Sequence, residues 1–198
     1  MWFLSAKRLQ SAAEIILCDQ VKHELPFARA VDDASKQALT IATNANDGVG
    51  RAEIQYEPPN YLPGQLLYAF AMENALKGLQ IARNSGLILP NKLSKSIKSH
   101  DLIKLANDAK FPVFPQEEPA LKALTHISIW AGRYPVAADL NNYRSKDNPI
   151  PLGLDPDALL DWGSQHPIIR SCFDRMLTEL ESLLPTAPTR FGSVVVLR

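Results

Sequence analysis

Cysteine is scarce in this chain. Only Cys18 and Cys172 occur in 198 residues, each inside an apolar helical pattern, and no C-x-x-C spacing exists. That leaves no disulfide framework and no zinc site, and the expected state is two buried thiols in a reducing compartment. No run of eighteen apolar residues is present, so no membrane span is expected. The opening MWFLSAKRLQ lacks a secretory apolar core because Lys7 and Arg8 follow only a few apolar residues. A cytoplasmic chain is the expectation. There is also no excess of charge of either sign: 21 basic residues balance 21 acidic ones. This argues against strong nonspecific binding to nucleic acid or anionic membrane, while leaving room for a local basic patch. No E-x-x-H string supports a carboxylate-bundle metal site, and no G-x-S-x-G marks a serine nucleophile. No metal and no cofactor are expected.

What is abundant is apolar residues, 46% of the chain, and proline, 15 in all. Residues 2–24 carry Trp2, Phe3, Ala6, Leu9, Ala13, Ile16, Leu17 and Val21 at steps of three and four, one face of a helix. Pro26 is expected to end or kink it, with a second helix over 27–45. NANDGVGRAEIQYEPPNYLPG reads as a connection. A helix over 64–84 follows Pro63, and Gly86 suits the left-handed position after its end. A short helix is expected from about Asp101, and another from the Glu118-Pro119 start to about Gly132. Asp155-Pro156 opens a helix over 156–164, which His166-Pro167 interrupts. Residues 168–184 form the cleanest amphipathic helix, with Ile169, Phe173, Met176, Leu177, Leu180, Leu183 and Leu184 on one face. The tail FGSVVVLR is strand-like. The prediction is an all-α fold: one domain over 1–198, an antiparallel up-and-down bundle of four to five main helices over about 2–184, then a tail over 185–198.

The stretch AFAMENALKGLQIA, residues 69–82, raises a specific question. Its apolar residues cover nearly the whole helical circumference, as in a helix surrounded by protein. Yet Glu73, Lys77 and Gln80 fall within roughly 60° of one another at about 100° per residue. Glu73 and Lys77 are four apart in the favourable order, so an ordinary pair worth a few tenths of a kcal/mol, about 0.3, accounts for them. Alternatively the line faces a polar cleft or subunit interface. A buried carboxylate must then meet donors from elsewhere in the chain.

Candidate donors are His100, His126 and Arg133. His126 and Arg133 share a face with Lys122, opposite Ala123, Leu124, Ile127, Trp130 and Ala131, and both are also readable as surface residues. Arg133 sits in GRYP, where Gly132 permits a turn and Tyr134 can stack or donate, or Arg133 is simply a cation at a helix C-terminus. Asp101 is a good N-cap for LIKLANDA, or else it orients His100 as a base or phosphate-binding donor. Lys92, Lys95, Lys98 and Lys104 give this region a basic bias.

In order, AMENALKGL, SHDLIKLA and IWAGRYP resemble the prokaryotic HEPN-like helical proteins over roughly residues 60–136. The resemblance implies an up-and-down bundle, frequent homodimers, and roles in toxin–antitoxin and phage-defence systems, with an antitoxin or other protein as partner. Active members of that family cut RNA without a metal through an R-x4-6-H motif at a dimer cleft. Here no arginine lies five to seven positions before any of the four histidines, at 23, 100, 126 and 166. Only Glu73, His100, Asp101 and Arg133 match the recurrent polar positions. Two functions follow as expectations. The first is RNA or nucleotide binding, extending to a noncanonical metal-independent ribonuclease. In it His100 is the acid/base, Arg133 binds phosphate, Glu73 orients Arg133, and Lys77, Lys98, Asp101, His126 and Tyr134 contribute to binding. The second is a non-catalytic dimerising interaction module, in which the polar line sets register or partner choice.

Overall fold

The computed structural model describes residues 2–45, 48–89, 92–129 and 162–184. Five α-helices are present among them: α1 (Trp2–Asn44), α2 (Leu62–Arg83), α3 (Leu102–Asp108), α4 (Glu118–Ile129) and α5 (Trp162–Leu183). Two short 3-10 turns, Ser85–Leu87 and Lys95–Lys98, flank a two-residue antiparallel ladder that pairs Ile88 with Leu93 and Leu89 with Lys92. The fold is all-helical.

α2 is the centre. Tyr68, Ala69, Ala71, Met72, Ala75, Leu76 and Leu79 are all buried, and α1, α3, α4 and α5 each pack against it. Leu17 of α1 lies against Gly64 and Trp2 against Gly78, so α1 and α2 run in opposite directions. α1 supplies Ala6, Ala13 and Leu17 to the core, and α5 supplies Ile169, Cys172, Phe173, Met176 and Leu180. Leu183 and Leu184, placed by their spacing on the same face of α5, are exposed. Two expectations about proline are corrected. Pro26 lies inside one continuous 43-residue helix, and Pro167 lies inside α5. A proline removes one hydrogen bond to the carbonyl four residues back. Those carbonyls belong to Lys22 and Gly163, both exposed residues, and a carbonyl that water can reach is stranded at lower cost than a buried one.

The second half of α1 extends past the start of α2. The connection after it runs back along this half. Tyr56 meets His23 at 3.3 Å, the Asn60 amide donates to Gln20 at 2.7 Å, and the Tyr61 hydroxyl donates to Glu24. The reversal uses Gly48 at φ 66°, and Gly50 then presses on α1, where an added Cβ would stand 1.7 Å from the Ala38 carbonyl oxygen.

The helix ends differ from expectation at one point. Gly86 is part of a 3-10 turn and not a left-handed cap; the end of α2 is held by the Asn84 side chain, which accepts from the Gly86 amide. The left-handed position falls instead on Lys110, φ 56°, after α3. There Phe111 donates to the Ala106 carbonyl and Lys110 to Asn107, closing the helix in the manner of a Schellman turn. Cys172 is buried as expected, but Cys18 is exposed, because residue 18 of α1 turns away from α2. Ala123, placed by its spacing on the inner face of α4, is exposed, and the buried residues are Ala120, Leu121, Leu124 and Ser128. Among the described residues no helix is long and apolar enough to cross a membrane.

Candidate functional site

The polar line of α2 turns inward. Glu73 and Lys77 are 12% and 8% exposed as side chains, far below an ordinary surface pair. The Lys77 ammonium donates to Glu73 Oε1 at 2.6 Å. The other carboxylate oxygen, Oε2, lies 3.0 Å from Nδ1 of His100. One carboxylate therefore joins an ammonium from its own helix to an imidazole 27 residues away. Gln80, further along the same line, donates to the Leu105 carbonyl of α3 at 3.1 Å and anchors α3 to α2. α2 is thus tied to α3 through Gln80 and to the turn before α3 through Glu73.

His100 is placed by the turn before α3. Asp101 caps that helix, its carboxylate accepting from the Lys104 amide at 3.0 Å, and the Leu102 amide donates to Thr125 of α4 at 3.0 Å. Asp101 is engaged as the cap, and the carboxylate that contacts the His100 ring is Glu73. The His100 side chain is 38% exposed, so the imidazole bridges the buried carboxylate and the surface. Lys98 and Lys104 lie exposed on either side of it in the chain. Two open grooves run along α5, past Arg170 and Asp174, and along α1, past Glu14 and Asp19; Glu73 and His100 line neither. At the site the Glu73 carboxylate is nearly covered and the His100 ring is partly open to solvent.

His126 is half-buried on α4, next to Thr125, and its Nδ1 is buried with no hydrogen-bond partner among the described residues. An unsatisfied buried nitrogen costs about 1–3 kcal/mol. Lys122, assigned to the same face, pairs with Glu118 at 2.7 Å on the surface. Arg133 and Tyr134 lie outside the described residues, as does the partnership expected between Glu73 and Arg133. The described partners of Glu73 are Lys77 and His100. Most of the helix expected over 156–164, and the strand-like tail, also lie outside the described residues.

Two further polar clusters were not anticipated. Glu14 of α1 accepts from the Tyr68 hydroxyl and lies 3.2 Å from His166 Nε2 and 4.0 Å from Arg170 Nε. The Tyr68 ring meets His166 and Phe173 edge-on at 5.9 and 6.0 Å. Burial, reinforced by the Glu14 bond, pushes the Tyr68 phenol above its ordinary range. The second cluster is Glu117, buried, with both carboxylate oxygens on Arg175 at 2.7 and 2.6 Å and a further bond from the Phe114 amide at 2.8 Å. The Arg175 guanidinium lies 4.9 Å from the Phe111 ring centre and 4.0 Å from that of Phe114. A signal for the first cluster existed: His166 and Arg170 are four residues apart, and a break at Pro167 conceals that they share a helix face. Glu117 carried no such signal, since its partner is 58 residues away.

Among the described residues no group of three or more His, Cys, Asp or Glu side chains is arranged to hold a metal ion. No family model, curated protein or solved structure matches the chain.

Proposed function

We propose that the chain is an HEPN-like protein, an antiparallel up-and-down helical bundle that binds RNA or a nucleotide around His100. Its catalytic form is a noncanonical, metal-independent ribonuclease acting in defence or toxin–antitoxin biology, as a homodimer. The observation that carries this reading is the Glu73 carboxylate, buried between Lys77 and a partly exposed imidazole. A carboxylate–imidazole pair at a surface is equipped for proton transfer. Lys98 and Lys104 supply positive charge on the exposed side. Arg133, from the GRYP segment, is assigned to the phosphate by resemblance. The test is binding and cleavage of labelled RNA at low and moderate salt, with chelator present, by wild-type protein and by His100→Ala and Arg133→Ala. Loss of binding or cleavage in variants with unchanged melting supports the reading. Large falls in melting temperature with no RNA effect assign the polar line to structure alone.

A second reading, a dimerising interaction module, is favoured by one observation. The second half of α1 exposes Leu25 at 60% and Leu39 at 69%, on a helix covered only in part by the connection beside it. Light scattering with a pull-down separates the two readings: a tight protein complex without RNA affinity supports the module.

A further inference from the structure

We propose that Glu73 is a positioning residue that locks His100 in its Nδ1–H tautomer, so that Nε2 is the nitrogen that accepts a proton from substrate. The inference rests on the RNA-binding reading for its substrate and on geometry alone for its tautomer. Glu73 is paired through Oε1 with the Lys77 ammonium at 2.6 Å and through Oε2 with Nδ1 at 3.0 Å. A carboxylate only accepts hydrogen bonds, so the nitrogen facing it carries the proton. A neutral imidazole has one donor and one acceptor nitrogen, which leaves the lone pair on Nε2.

The lone pair on Nε2 lies on the ring edge away from the nitrogen bonded to Glu73, and the His100 side chain is 38% exposed where Glu73 is 12%. Neighbouring Asp101 does not hold the ring, because its carboxylate caps α3 on the Lys104 amide. Lys77 belongs to the same device. Its ammonium occupies the second oxygen, so the carboxylate cannot turn away without leaving a buried cation unpaired.

The chemical step is a single proton transfer. The O–H bond of a ribose hydroxyl breaks, the oxygen keeps the electron pair, and the proton forms a bond to Nε2. The imidazolium produced lies against the Glu73 carboxylate, which stabilises it. Fixing the tautomer and the ring orientation is worth about 10²–10⁴-fold when the imidazole is the base.

Ring-nitrogen NMR of the full-length, ¹⁵N-labelled protein, at a pH where the imidazole is neutral, tests the tautomer directly. His100→Gln identifies the signals. The expected result is an Nδ1–H pattern for His100 in wild-type protein and in Glu73→Gln/Lys77→Met, whose amide oxygen is left to accept from Nδ1 once no ammonium competes for it. In Glu73→Leu the pattern is expected to revert to Nε2–H, the form free imidazoles favour. Should Glu73→Leu not fold, Glu73→Leu combined with Lys77→Met removes the unpaired ammonium and carries the same comparison. In RNA cleavage, Glu73→Leu is expected to lower kcat about 10²-fold or more with KM nearly unchanged, and Glu73→Gln/Lys77→Met to restore most of it. An Nε2–H pattern in wild-type protein, or one indifferent to Glu73→Leu, overturns the inference. The predicted tautomers in a protein that neither binds nor cuts RNA uphold the positioning role and overturn the ribonuclease reading, so the two failures are distinct.

Discussion

Lys77→Met is the sharpest test of whether the α2 polar line is a buried device or a surface pair. Met preserves the length and most of the volume of the side chain, so the change is chiefly the loss of a charge. On an exposed helix face the Glu73–Lys77 pair would contribute about 0.3–0.5 kcal/mol. Here the two side chains are 12% and 8% exposed, and the ammonium lies 2.6 Å from Oε1. Removing one member of a buried pair leaves the other charge uncompensated, which costs about 3–5 kcal/mol. Glu73 retains His100, 3.0 Å away, so the lower end applies, about 3 kcal/mol. For a chain of this size that corresponds to a fall in Tm of about 6–12 °C. Urea denaturation at neutral pH measures it. The double variant Glu73→Gln/Lys77→Met removes both charges and keeps an acceptor for His100. It is expected to recover at least half of the loss, which leaves it about 1.5 kcal/mol or less below wild type. A cost below about 0.5 kcal/mol for Lys77→Met, with no coupling, would show that water reaches the pair and would refute the argument from burial.

Arg175→Met strips the buried Glu117 of its guanidinium and removes two cation–π contacts, and should cost about 3–5 kcal/mol in the same assay. Asp101→Ala removes only the α3 cap, about 1 kcal/mol, and should leave the His100 tautomer unchanged. The two thiols should differ sharply: exposed Cys18 is expected to react with an alkylating reagent in folded protein, and Cys172 only as fast as the chain opens. Burial, with the Glu117 carboxylate adding in the same direction, raises the Cys172 thiol from 9.0 to about 12. Its contribution to stability is therefore complete below pH 9.0 and is lost as pH rises toward about 12, because the unfolded chain releases the proton first. The limiting slope is about 1.4 kcal/mol per pH unit, visible as a falling urea midpoint that Cys172→Ala flattens.

The sequence by itself determined the helical class and most element positions, because the 3.6-residue period and the capping residues are local. The helix spanning AFAMENALKGLQIA, the Asp101 cap and the buried stripe of α5 from Ile169 to Leu180 were all legible in this way. So was the alignment of Glu73, Lys77 and Gln80 on one side of α2. Proline misled in two places, since its cost depends on whether water reaches the carbonyl it strands. That is a property of the packed molecule and not of the dipeptide. Only the tertiary structure decided what the polar line meets: Lys77 and His100 for Glu73, the Leu105 carbonyl for Gln80. It also decided that Glu117 and Arg175 find each other across 58 residues. Periodicity states which residues share a side. Which groups then answer one another across that side depends on how α3 and α5 seat on α2, an outcome of the whole core.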